Sequence, residues 1–193
     1  FKEKNGYFLK NNLANKEHYG FDFLYENSNP FNEWFRSNLE GQSGLYVDVS
    51  DMNDIEYINL STNDTTQNAT AFQIISRVNL FYNTDNNYFG SYLKYYKDLS
   101  YESNEKTLQN IPALHYHNYL GTYLDNHLLY SFDIKSNNYY RELGKNATQT
   151  NLNIPLALQT SMFDEYLNIA YKTNIYAQHT AFRGREEIPT SQE

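Results

Sequence analysis

The chain has 193 residues, enough for one domain, with 15 basic against 23 acidic side chains and a pI near 5.1. That balance disfavours a nucleic-acid-binding face. The lack of Cys removes thiolate metal sites, thiol nucleophiles and internal disulfides, and no run approaches the ~18 uncharged apolar residues of a spanning helix. Twenty Tyr, 12 Phe and 27 Asn, with 40% hydrophobic residues and a mean hydropathy of -0.77, mean that apolar side chains are interleaved with polar ones. Such aromatic content argues against disorder. Phe1-Lys2-Glu3-Lys4-Asn5 shows neither an initiator Met nor a signal-peptide pattern, so a mature or excised segment is expected.

In chain order the alternation predicts about ten strands, at 6–13, 17–26, 33–47, 54–61, 70–83, 88–98, 108–118, 127–138, 147–159 and 166–178. The pattern is sharpest where Phe72, Ile74, Ser76, Val78, Leu80 and Tyr82 oppose Gln73, Ile75, Arg77, Asn79, Phe81 and Asn83. It recurs where Leu152, Ile154, Leu156 and Leu158 interleave with Asn151, Asn153, Pro155 and Ala157. Successive strand side chains point to opposite faces, so each such segment has one apolar and one polar side. Most segments exceed the roughly 5–6 residues of soluble strands and match the ~9–11 tilted residues that cross a bilayer. Short connections (14–16, 84–87, 161–165) fall among longer polar ones (27–32, 62–69, 99–107, 139–146). Transmembrane barrels show that asymmetry.

The fold expected is all-β, an antiparallel transmembrane β-barrel over residues 1–180 followed by a loop-like tail, 181–193, and as much a segment of a larger barrel as a whole one. A barrel satisfies every backbone polar group in lipid. Its polar row, set toward the lumen because a lipid-facing Lys or Arg costs about 2–4 kcal/mol near the midplane, includes Arg77, Asn79, His115, His117, Asp133, Lys135, Asn151, Asn153, Lys172 and Asn174, with Asp22, Arg36 and Asn38. Tyr near strand ends (Tyr7, Tyr19, Tyr25, Tyr88, Tyr96, Tyr116, Tyr130, Tyr139, Tyr140, Tyr166) suggest an interfacial girdle, although Tyr also simply favours strands. The soluble alternative is a large antiparallel sheet whose apolar faces pack on each other.

Several patches, in order, resemble the C-terminal barrel region of the LptD family of outer-membrane lipopolysaccharide-assembly proteins. Val49-Ser50-Asp51 followed by Tyr57-Ile58-Asn59-Leu60 is similar to the family's V-S-D…Y-L stretch, and Ile111-Pro112-Ala113-Leu114 to its L-P-x-L opening. Leu129–Asp133 with Asn138-Tyr139-Tyr140-Arg141-Glu142 resembles its L-x-S-L-D…N-Y-x-R pair. Ala147-Thr148 with Ile154-Pro155-Leu156 and Tyr166-Leu167-Asn168 resembles its A-T-R…P-x-L…Y run, with Gln149 or Thr150 near the place of the Arg. The resemblance spans roughly Gly6 to Thr180. It implies part of a barrel of about 26 strands in the Gram-negative outer membrane. The implied partners are lipopolysaccharide, an LptE-like lipoprotein plug, a periplasmic lipopolysaccharide bridge protein and outer-membrane lipid. It implies insertion of the glycolipid into the outer leaflet, with no cofactor and no enzymatic step. A porin-like channel and a soluble carbohydrate-binding sheet are the alternatives.

Other chemistry is weak. His115 and His117 share a strand face, so a common metal is geometrically allowed, but no carboxylate stands beside them at ligand spacing. His18, His127 and His179 are scattered. Ser131, His117 and Asn118 form a hydrolase set only on paper. The acidic run Asp48, Asp51, Asp54, Glu56 and Asp64 reads as a solvated turn and loop, with divalent-cation binding as the sharper reading. N-x-[ST] matches at Asn59, Asn63, Asn68 and Asn146 are what an Asn-rich chain yields by chance.

Overall fold

The computed structural model describes residues 17–35, 39–54, 57, 72–101, 103–164 and 166–184. Eight strands and one short helix follow in order: β1 (Gly20–Asn27), α1 (Pro30–Phe35), β2 (Gln42–Met52), β3 (Gln73–Asn83), β4 (Asn87–Asp98), β5 (Gln109–Tyr123), β6 (Leu128–Tyr140), β7 (Asn146–Met162) and β8 (Leu167–Arg183). The strands make one antiparallel sheet in sequence order, with β1 and β8 as its edges. It is an all-β meander that does not close on itself among the described residues.

Eight of the ten expected strands have a counterpart, with differences at their ends. Segment 6–13 lies outside the described residues, as does most of 54–61, where Asp54 is not in a strand and Tyr57 sits in a helical turn. The expected strand 33–47 is wrong at its start. Pro30, with its φ already helical and no N–H to lose, opens α1. Phe31, Trp34 and Phe35 then recur at helical spacing. The strand begins only at Gln42, after Gly41 at a φ of +120°, and continues to Met52. At the other end β8 runs to Arg183, so residues 181–183 of the expected tail are strand, while 185–193 lie outside the described residues.

Three hairpin turns, at 84–86, 124–127 and 163–166, lie at one end of the sheet, and the connections 53–72, 99–108 and 141–145 at the other. In the 124–127 turn Asp125 and Asn126 take the left-handed φ values of 52° and 68° that their short polar side chains tolerate. The exception to the short end is 28–41, which carries α1.

Very little of this sheet is covered. Met52, Ile74 and Ala113 are the buried hydrophobic residues among those described; Met52 and Ile74 pack with Tyr57 and Leu99 into a small cluster at the long-loop end. Leu158, Ile175 and Phe21 stay 47%, 50% and 55% exposed. A soluble two-layered sheet would bury such rows, and no second layer lies against them in the described structure.

One close approach ties β2 to β3. Gly44 pairs with Phe81, whose ring lies over it so tightly that a Cβ would fall 2.3 Å from Phe81 Cε1. Gly44→Val should therefore cost about 1–3 kcal/mol through overpacking. Thermal unfolding in detergent should show the loss, and Phe81→Ala added to it should restore part of the stability by vacating the space.

Candidate functional site: a sheet with two unlike faces

Directly paired residues on neighbouring strands project from the same side of a sheet, so register assigns every side chain to a face. One row crosses seven strands as Ser43, Tyr82, Phe89, Tyr116, Ile134, Leu152 and Ala177. Phe89 and Tyr116 are in ring contact at 4.8 Å, and Tyr116 meets Phe132 at 5.8 Å. Parallel rows place Tyr25, Val47, Val78 and Leu93, and Leu128, Leu158 and Tyr171, on this same apolar face. Toward the long-loop end the face changes chemistry. Beyond Ile134 and Leu152 it presents Ser136 and Thr150, their hydroxyls 3.1 Å apart, and then Asn138, which accepts from Thr148 Oγ1 at 3.2 Å.

The opposite face carries the other parity. Tyr88, His117, Asp133, Asn153 and Tyr176 form one row, and Gly90, His115, Lys135, Asn151 and Gln178 the next. Arg77 stands between Asp48 and Lys94, Asn79 between Tyr46 and Tyr92, and Asn174 and Lys172 face Pro155 and Ala157. All ten polar residues listed from the sequence thus share one face; Asp22 joins them, and Arg36 and Asn38 lie outside the described residues. The tyrosines divide. Tyr25, Tyr116 and Tyr130 are on the apolar face, but Tyr88 and Tyr139 project from the polar one and Tyr7 lies outside the described residues, so the ten do not form a single belt.

Two charged groups organise the polar face. Arg77 donates from Nε to Asp48 at 3.1 Å and lies over the Tyr46 ring at 5.1 Å. Two strands further on, His115 Nε2 and His117 Nδ1 meet one oxygen of Asp133, Oδ2, at 2.8 and 3.1 Å, and Lys135 Nζ lies 3.6 Å from the other. The carboxylate missing from the sequence reading comes from the neighbouring strand, directly opposite His117. Asn118 points to the other face, donating to Asn87 Oδ1, so the paper set of Ser131, His117 and Asn118 is not assembled. The acidic run is not a turn either. Asp48 and Asp51 are strand residues on opposite faces, bonded to Arg77 and, at 2.6 Å, to Lys97, while Asp54 holds buried His18 at 2.9 Å; Glu56 and Asp64 lie outside the described residues.

The family model described as LPS transport system D matches residues 17–193. The chain belongs to the LptD family. No curated protein matches it. The residues that carry the LptD-like patches turn out to shape backbone. Beyond the end of the β2–β3 ladder, Ser50 gives its N–H to Ser76 Oγ and accepts from the same hydroxyl, which stands in for ladder bonds. Tyr57 joins the small cluster at the sheet end. Pro112 sits in the register shift between Asn110 and Ala113, and the β6–β7 ladder is interrupted between Leu156 and Asn153, around Pro155, which has no N–H to give. Arg141 closes the β6–β7 turn, its N–H on Asn146 Oδ1 at 2.7 Å and its Nε on Lys145 O.

Arg77 and Asp48 keep side chains 47% and 29% exposed. A double-mutant cycle over the pair should therefore return a coupling below about 1 kcal/mol.

Proposed function

We propose that this sheet is an arc of the wall of an outer-membrane β-barrel in the lipopolysaccharide export machinery, its apolar face against lipid and its polar face toward the lumen. Family membership supplies the transport role. The observation that carries the topology is the uncovered apolar face of a single sheet whose opposite side bears all ten of the polar residues named above. Hydrocarbon is the medium in which such a face lowers its free energy without a second protein layer.

Strand lengths support the same reading. From Leu152 to Met162, β7 presents apolar side chains at nearly every second position, a stretch that matches the ~9–11 residues needed to cross a bilayer. Its remaining residues, Asn146–Asn151, carry hydroxyls and amides on both faces. The long-loop end would therefore stand in water outside the cell, and the tight turns would face the periplasm. At that periplasmic end α1 lies on the apolar face, Phe31 packed on Tyr82 at 5.8 Å and bonded through its N–H to Ser43 Oγ. Trp34 and Phe35, 54% and 68% exposed, suit the headgroup boundary.

In this role the chain does no covalent chemistry and holds no organic cofactor. It works by excluding lipid from one side while offering the other to lipopolysaccharide, to an LptE-like lipoprotein plug in the lumen and, at the periplasmic rim, to the bridge protein that delivers the glycolipid.

Neighbouring residues on β7 provide the test. Ile154→Arg should cost about 2–4 kcal/mol at the midplane and prevent recovery of a folded, heat-modifiable band from membranes, whereas Asn153→Arg should be tolerated. Equal recovery of the two variants would overturn the assignment of faces. A photo-crosslinking residue at Asn151 should capture lipopolysaccharide or a luminal protein in cells, and the same probe at Leu152 should capture neither protein partner.

A further inference from the structure

We infer that His115, His117 and Asp133 form a binding site for a divalent cation of the zinc class, bridging β5 to β6 on the polar face. The three residues each offer one ligand atom, and these atoms all lie within 4.8 Å of one another. A tetrahedral ion with bonds of about 2.0–2.2 Å needs donors roughly 3.3–3.6 Å apart. His115 Nε2 and His117 Nδ1 already stand 2.8 and 3.1 Å from Asp133 Oδ2, so small side-chain shifts suffice. Two imidazoles with one carboxylate are a borderline nitrogen and oxygen set, which suits zinc, nickel or copper and not calcium or magnesium.

Backbone geometry makes the juxtaposition firm. His115 and His117 are two apart on one strand, and Asp133 is the direct cross-strand partner of His117. The rings are also held: Tyr88 lies 5.3 Å from His115, and Tyr119 meets His117 edge-on at 5.1 Å. The carboxylate is held at its other oxygen, where Lys135 Nζ approaches Asp133 Oδ1 at 3.6 Å and leaves Oδ2 to the ion. Partners of this kind orient ligands and are a regular feature of metal sites. Across from His115 stands Gly90, where a side chain would press on Tyr88 and Tyr92, the rings behind the site.

The proton balance is simple. In the metal-free arrangement each ring donates a hydrogen bond to Asp133 through the nitrogen that would become the ligand. On binding, a neutral ring moves that hydrogen to its other nitrogen, His115 to Nδ1 and His117 to Nε2, and the freed lone pair takes the ion. No redox step is involved. The fourth position opens toward the polar face and takes water. This site stands whether or not the opposite face meets lipid, because it uses residues of one hairpin alone.

The test uses the full chain in detergent micelles, without a polyhistidine tag and stripped with a chelator. Zinc ions alone are titrated by calorimetry, and cobalt ions are used for their visible spectrum. One saturable zinc site per chain is expected, with a tetrahedral cobalt spectrum and a higher thermal midpoint in zinc. His115→Gln and His117→Gln should each weaken zinc at least tenfold, with circular dichroism unchanged. His127→Ala, in the 124–127 turn with its ring on Gln159 O at 2.9 Å, should bind as the parent does. Absence of saturable binding would overturn the proposal, as would a doubly substituted His115→Gln/His117→Gln chain that folds and binds zinc as tightly as the parent.

Discussion

The structure depends on the two-residue period of an extended chain being kept in register across eight strands. A pairing slip of one residue would carry a whole strand's apolar row to the wrong side. Short turns at 84–86, 124–127 and 163–166 make that slip difficult, because each fixes the pairing of the strands that it joins. Where the ladder does shift, in β5 between Asn110 and Ala113 and again between Asn118 and Gly121, the two irregularities leave the face assignment intact on both sides. Leu114, Tyr116 and Gly121's partner Tyr130 all remain on the apolar face.

That constraint explains which features were legible in the sequence. The long strands of the second half and the common face of Arg77, His115, Asp133 and Lys172 follow from alternation alone, since alternation is a local property. The helix Pro30–Phe35 was missed because its aromatic residues also fit a strand pattern when read by twos. Asn29-Pro30 followed by apolar residues at 31, 34 and 35 was the competing helical signal. The end of β5 was set too early, at 118, because the bulge before Gly121 breaks the period.

The cluster around Asp133 was invisible for a different reason. His115 and His117 declare themselves by spacing, but their carboxylate is 16 residues beyond His117 in sequence. Its position opposite depends on the turn at 124–127 and on the register shift between Asn118 and Gly121, and a sequence shows neither. The acidic run from Asp48 misled in the converse way. The run reads as a solvated turn and loop, whereas Asp48 and Asp51 are strand residues of opposite parity in β2 and bond to Arg77 and Lys97 on separate faces. In a sheet, sequence neighbours are separated by the pleat and charge clusters are built across strands.

The same logic bears on the edges. Among the described residues each strand from β2 to β7 has a hydrogen-bonded neighbour on both sides, while β1 and β8 each have one. In water such an edge is tolerable, but in hydrocarbon every unpaired group costs several kcal/mol. In a membrane, the 17 residues of β8 would concentrate that cost along its outer edge. An arc with a lipid-facing side of this kind is therefore stable in a membrane only when both edges are paired with further strands. On the proposed reading, the driving force that would hold the apolar face in lipid is the same one that would demand closure. On that reading, a seam that let a bulky glycolipid leave would have to be a place in the wall where that demand is weakest. Neighbours on both sides of β2 to β7, with the ladder broken locally at the β5 shifts and around Pro155, make the interior of this arc a poor place for one.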